Sequence, residues 1–351
     1  MRSISSVAPA PWDSKPAGVL VWGLLVSVVV AYAIGIDRTF LIDQPNYVQY
    51  FYSATTLEWL KALTPGESSL QSVIVYLVSG EVLWQVWATA LGWIFAPPTA
   101  VVVTVCALNL LLAFAVKQLP DPVLPLIIWI LLPVGFAVTG LLQLRQGFAL
   151  AVMLYITLRL DRPVLGTLIA TMIHTTFAVA LPFAVIAWLC GRRRLLALLL
   201  IIFLACGVAY LGGALFEAFG GRRLQVYDVN ETDATSILYV FGAILCGLPS
   251  LHRLFKADVP GETAVASRTL ASVALMHLGV IAFSAASFFV FPLGAGRAGY
   301  LITLLLIPIL PTMRWRGTLA GTIIFSLMVL YLVYLAVKTC LEGTYDIYFA
   351  G

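Results

Sequence analysis

Apolar residues in this chain gather in long unbroken runs, without the alternation that marks a membrane β-strand. Ten such runs, nearly free of charge, cover residues 18–36, 97–116, 123–144, 147–158, 164–189, 195–215, 234–251, 269–290, 298–313 and 317–337. A bilayer crossing needs about 20 mostly apolar residues, and most of these runs approach or exceed that length. Lipid offers no partner to bare backbone groups, so each run predicts a helix. The expected fold class is an all-α polytopic integral membrane protein with about 10–11 transmembrane segments. The whole chain, 1–351, then forms a single multi-span membrane domain. Pro125, Pro133, Pro182 and Pro308 fall inside runs and should kink them. The first run is too long for a cleaved leader and no small-residue cleavage site follows it, so it is read as the first span.

The charges between runs set the orientation. Arg2 and Lys15 place the N-terminus in the cytoplasm, together with Lys117, Arg159, Arg162, the triplet Arg192, Arg193 and Arg194, then Arg253, Lys256, Arg268, Arg314 and Arg316. Arg162 and Arg192 would both be inside, yet one long apolar stretch separates them. That stretch is therefore read as a broken or re-entrant pair of short segments turning near His174, Thr175 and Thr176. The alternative is one tilted helix with the triplet outside. Polar segments then share the outer side. Residues 37–96 form an outer-face loop with interfacial helices, where Trp84, Trp87 and Trp93 suit the headgroup region, and 214–233 form a second outer-face loop.

Composition agrees with this picture: 62% of residues are hydrophobic and only 10% charged. Soluble domains carry about 25% charged residues. The net charge of +4 lies in short loops, so it reads as topology and not as nucleic-acid binding. Four of the five cysteines lie in or beside apolar runs, with no CxxC or metal-ligand spacing. There is no Walker A loop, nucleophile elbow, HExxH or DxD. Neither a metal nor a cofactor is expected.

A charge at membrane depth is a functional candidate because burying it is expensive. Arg145, between two apolar runs, has no acid within a helical turn. It calls for an anion, either a distant carboxylate or a phosphate-bearing ligand; the alternative is an arginine snorkelling to the interface. Gln146 and Gly147 follow it and open a helix whose N-terminus adds partial positive charge. Arg297 sits in a glycine-rich stretch, 294–299, read as a loop on the outer side. Arg222 and Arg223 precede Tyr227 and Asp228 on the side where basic residues should be scarce. Three groups could accept a proton: His174 at the hairpin tip, Asp43 in the loop after the first span, and Asp228. His174 is equally readable as a hydrogen-bonded packing residue, and Asp43 before Gln44 and Pro45 as a turn former. His277 is read as packing, and His252 as solvated.

The stretch from Leu144 to Ala151, an inner turn, and then Ile169 to Val179 resemble the EpsG-like family of exopolysaccharide polymerases, within the Wzy-type group. The family pairs an Arg-Gln-x-x-Ala segment with a later Ala-x-x-x-His-x-Ser segment; here Thr175 and Thr176 stand where small hydroxyls are usual. Asp43, Asn46 and Tyr47 resemble its early loop, Arg297 its late arginine, and Tyr345 to Tyr348 its tail. The resemblance implies polymerisation of undecaprenyl-diphosphate-linked oligosaccharide at the periplasmic face of a bacterial cytoplasmic membrane. A flippase and a chain-length regulator are the implied partners. On that basis Arg145 and Arg297 hold the diphosphate, and His174 or Asp43 takes the acceptor's proton. Tyr47, Asn46, Gln146, Tyr227, Asp228, Arg222 and Arg223 contact the substrate. The competing readings are a secondary transporter of an anionic solute, a glycan ligase and a sugar acyltransferase.

Overall fold

The computed structural model describes residues 16–35, 43–63, 73, 76–77, 79–119, 121–190, 193–219, 237–255, 264–312 and 319–341. Every regular element among them is helical. Arg222, Arg223, Tyr227 and Asp228 lie outside the described residues, as do most of the segment 214–233 and the tail tyrosines. Residues 214–219, read as part of a loop, instead continue a helix to Phe219.

In chain order the α-helices are α1 (Pro16–Gly35), α2 (Gln44–Ala54), α3 (Val82–Ile94), α4 (Pro97–Val116), α5 (Val123–Leu131), α6 (Leu144–Leu160), α7 (Pro163–Ile173), α8 (Leu181–Cys190), α9 (Arg194–Phe219), α10 (Ile237–Phe255), α11 (Ala264–Val290), α12 (Pro292–Ile309) and α13 (Leu319–Leu341). A π-helix, Pro133–Leu142, joins α5 to α6, and a 3-10 turn, Thr175–Val179, joins α7 to α8. Among the described residues, six helices are long and apolar enough to cross a membrane: α1, α4, α9, α11, α12 and α13. The protein is thus an all-helical polytopic membrane protein. In the six spans, α11 and α12 bury 67% and 72% of their windows inside the protein, against 11% for α1 and for α13. The first two form the centre and the last two the rim, where apolar side chains can face lipid at no cost.

Two breaks shape the interior. The span 123–142 bends by 76° between α5 and the π-helix. Leu132 is extended, Pro133 opens the π-helix, and Gly135 leaves helical geometry. A Cβ on Gly135 would stand 2.2 Å from the Trp129 carbonyl oxygen, so only glycine lets the chain pass. The expected kink at Pro133 is therefore a complete break.

The second break is at His174, whose extended backbone separates α7 from the 3-10 turn. Helices α7 and α8, of 11 and 10 residues, pack against one another. At 1.5 Å per residue each reaches only about half of a 30 Å hydrocarbon layer. Asp161, before α7, accepts a hydrogen bond from Thr269 near the start of α11. Arg194, after α8, donates to the Leu254 carbonyl at the end of α10, 2.5 Å away. Helices α10 and α11 are neighbours, so both ends of the 163–190 stretch lie at one end of the bundle. The chain folds back at His174, as the arginines on either side require.

Segment 37–96 holds helices, as expected, but two of its three singled-out tryptophans pack inward. It contains α2, a 3-10 turn (Glu58–Leu63) and α3. Trp84 is fully buried, with its ring against Tyr47 and Phe51, and Trp87 stacks on Phe148 and donates to Thr104 at 3.0 Å. Only Trp93 is largely exposed. Interface preference is overridden because the aromatic face of α3 packs onto α2 and α4. His252, read as solvated, is also buried.

Close packing fixes the site's frame. A Cβ on Gly147 would lie 2.2 Å from the Thr139 carbonyl oxygen, which brings the start of α6 against the π-helix. Gln44 closes the other side by donating its amide to the Leu141 carbonyl at 2.8 Å. Gly147→Ala should lower the melting temperature in detergent, with a cost of about 1–3 kcal/mol. Gly23→Ala, where nothing lies within 4 Å, should leave melting unchanged in the same assay.

Candidate functional site

At the end of the bundle away from Arg194 and Asp161, the first turn of α6 opens on a cavity of about 720 Å³. Its walls carry Asp43, Asn46, Tyr47, Gln49, Tyr50 and Ser53 from α2 and the residue before it. Gln143, Arg145 and Gln146 come from the start of α6, His174 from the fold-back tip, and Arg297 from α12. Seven positions singled out in the sequence thus share one chamber: Asp43, Asn46, Tyr47, Arg145, Gln146, His174 and Arg297. The α2 contributions recur at helical spacing, so one face of that helix forms a wall.

Two local expectations change. Asn46 and Tyr47 lie within α2, not in a loop, and Asp43 is its N-cap residue, though its side chain makes no capping bond. The glycine-rich stretch 294–299 is helical. Pro292 starts α12, and Gly294 packs against the Phe291 ring, where a Cβ would come within 2.4 Å. Small residues that read as a flexible turn here allow close helix contact. Arg297 accordingly projects from a regular helix.

Beneath the cavity lies a residue that sequence reasoning passed over. Glu81 is 3% exposed and joins two of the candidate groups. Its Oε2 accepts from the Arg145 guanidinium at 2.5 Å, and its Oε1 from His174 Nδ1 at 2.7 Å. The Thr175 backbone N–H also donates to Oε1, at 3.3 Å. Of the two anions that Arg145 could have met, a distant carboxylate is present, 64 residues away along the chain. The guanidinium also lies 4.9 Å from the centre of the Tyr50 ring, an attractive geometry for a cation over a π face. Its side chain is still 25% exposed, and among the described residues its Nε has no hydrogen-bond partner.

Glu81 holds an unusual backbone conformation. It precedes α3 with φ 52° and ψ 50°, in the left-handed region. Such a conformation costs a non-glycine residue about 1–2 kcal/mol and persists only where surrounding contacts enforce it. The turn is further tightened by Gly80, where a Cβ would meet the Tyr76 carbonyl oxygen at 2.7 Å. This strained turn points the carboxylate inward, to Arg145 and His174.

The remaining polar groups have capacity to spare. Gln146 is 4% exposed, and among the described residues neither its Nε2 nor Gln143 Oε1 has a hydrogen-bond partner. Both line the cavity. Buried amide groups are normally paired, so these two are positioned to bind something that enters. Burial pushes the Tyr47 phenol up to about 12, although the Arg145 charge opposes the shift. Tyr47 therefore remains protonated at neutral pH and can donate. His277, by contrast, packs in the core with Ser250 at 2.7 Å from its Nδ1, as expected of a structural histidine. Among the described residues no three His, Cys, Asp or Glu side chains gather as metal ligands do.

Fold and site together define a polytopic helical membrane protein with a polar chamber built from a helix N-terminus, a fold-back tip and a buried ion pair. Residues 20–348, nearly the whole chain, match the EpsG family, and the protein belongs to it. Membership points to a polymerase- or glycosyltransferase-type role in exopolysaccharide synthesis. No curated protein and no solved structure matches the chain.

Breaking the Glu81–Arg145 pair from one side strands a buried charge. Glu81→Ala should destabilise the protein by about 3 kcal/mol in detergent unfolding. Glu81→Gln and Arg145→Met should each destabilise the protein too, and the two combined should recover most of that loss, giving a large coupling energy in a double-mutant cycle.

Proposed function

We propose that the protein polymerises undecaprenyl-diphosphate-linked oligosaccharide units at the periplasmic face of a bacterial cytoplasmic membrane. The observation that carries this reading is the convergence of Arg145, His174 and Arg297, from three separate elements, on one cavity. In the transfer, the bond between the donor sugar's anomeric carbon and the phosphate oxygen breaks, and its electron pair leaves with the lipid diphosphate. An acceptor hydroxyl forms the new bond to that carbon, and His174 or Asp43 takes its proton. Arg145 and Arg297 offset the charge of the departing diphosphate, helped by the N-terminus of α6. Asn46, Tyr47 and Gln146 hydrogen-bond the sugars, while Arg222, Arg223, Tyr227 and Asp228 add contacts from the segment after α9.

Orientation follows from charge. Arg159, Arg162, Arg194, Arg253 and Arg268 belong to the bundle end opposite the cavity. By the positive-inside rule that end is cytoplasmic and the cavity opens outward. Nucleotide sugars are absent there, so the donor must carry its own leaving group, as a lipid diphosphate does.

Arg145→Ala, Arg297→Ala and His174→Ala should each cut polymer yield about 100-fold or more at equal protein level, the usual cost of removing one transition-state partner. The assay supplies purified protein in liposomes with lipid-linked repeat units and resolves products by length. Long ladders from both Arg145→Ala and His174→Ala would sink this reading. A single transferred unit from the wild type would instead indicate a ligase, and uptake of an anionic solute a transporter.

A further inference from the structure

Asp43 and His174 both face the cavity, but their surroundings differ. Among the described residues, the Asp43 carboxylate has no hydrogen-bond partner to orient it. His174 is held on both sides of its ring. Glu81 Oε1 stands 2.7 Å from Nδ1, and the Thr176 hydroxyl 3.2 Å from Nε2. An ionised carboxylate can only accept a hydrogen bond, and Glu81 is kept ionised by Arg145 on its other oxygen. Nδ1 must therefore donate, and in the neutral imidazole that leaves the lone pair on Nε2. The Thr176 hydroxyl, itself a donor, faces that lone pair.

Nothing in the helix accounts for Glu81. It occupies the N-cap position of α3 but makes no capping bond there. Its backbone is in the left-handed region, and its carboxylate is spent across the cavity floor, on residues 64 and 93 positions further along the chain. A strained backbone, a buried charge and an oriented imidazole meet at one residue.

We propose that Glu81 is a positioning residue that fixes the tautomer of His174 and so makes His174 Nε2 the proton acceptor of the transfer; this rests on the glycosyl-transfer reading above. When an acceptor hydroxyl replaces Thr176 at Nε2, its proton passes to that nitrogen as the oxygen bonds to the sugar carbon. The imidazolium so formed is offset by Glu81. Arg145 and Arg297 face the same space and Asp43 lines its wall, so among the described residues the charged groups around His174 are Glu81, Arg145, Arg297 and Asp43. Arg145 shares the carboxylate, and this ties the diphosphate-facing cation and the base to one anchor.

Two measurements test the proposal. The first is 15N NMR of histidine-labelled protein in liposomes; the chain has three histidines, and His174→Gln assigns the relevant signals. The wild type should show His174 protonated at Nδ1 alone, and Glu81→Gln should shift it to a mixture of tautomers. The second is kinetics with lipid-diphosphate-linked oligosaccharide extracted from the source bacterium's own membranes. Glu81→Gln should lower kcat about 100-fold, with KM rising by a smaller factor, because the proton acceptor loses its fixed tautomer and Arg145 loses its carboxylate partner. Glu81→Asp, which keeps the charge on a shorter arm, should lose about tenfold in kcat, and it carries the test where the Gln variant does not fold. An identical tautomer in the wild type and Glu81→Gln, or a loss borne by KM alone, overturns the proposal. If the wild type transfers no sugar at all, the polymerase reading fails, and the NMR result still decides whether Glu81 sets the tautomer.

Discussion

A carboxylate that is almost wholly out of water must be paid for, and Glu81 is held by a cation on one oxygen and an imidazole on the other. Removing such a charge from water costs several kcal/mol, which is recovered only with close partners. Both partners lie on elements that cannot move independently. Arg145 is in the first turn of α6, pinned to the π-helix by the Gly147 contact, and His174 is at the break between α7 and the 3-10 turn. Glu81 itself enters from the turn before α3. One ionic group thus joins three elements of the bundle beneath the cavity. If it slipped by an ångström, a strained backbone would lose its justification, and Arg145 and His174 their orientation.

Much of the architecture can be read directly from the chain. Long apolar runs define helices because lipid leaves no other option for the backbone. The fold-back at His174 is legible because arginines flank a stretch of near-span length on both sides, and charge placement constrains topology more tightly than length does. Arg145 and His174 are legible for a related reason: each interrupts apolar sequence, where a polar group needs a purpose.

Other features depend on contacts that a single sequence does not display. Glu81 interrupts an apolar stretch as plainly as Arg145 does, so the same criterion would have selected it. The neighbouring tryptophans instead suggested an interfacial segment, where an acid needs no explanation. Its partners lie 64 and 93 residues away, beyond any local pattern. The stretches at 294–299 and 43–47 read as loops because glycine, proline and polar residues favour turns in isolation. In the bundle those small or polar side chains serve close packing and a cavity wall, and tertiary context decides for helix.

The fold-back at His174 also settles the direction of everything after it. A hairpin adds no net crossing, so α9 departs from the face at which α7 began, and each later span keeps the alternation that follows. Helices α9, α10 and α11 each then run the length of the bundle, since Leu254 at the end of α10 meets Arg194 and Thr269 near the start of α11 meets Asp161, so α12 begins at the same face as α6. Were the 163–190 stretch a straight rod, the parity would flip and Arg297 would emerge on the opposite side of the membrane from Arg145. A single extended residue therefore determines whether the two halves of the protein meet at one chamber at all.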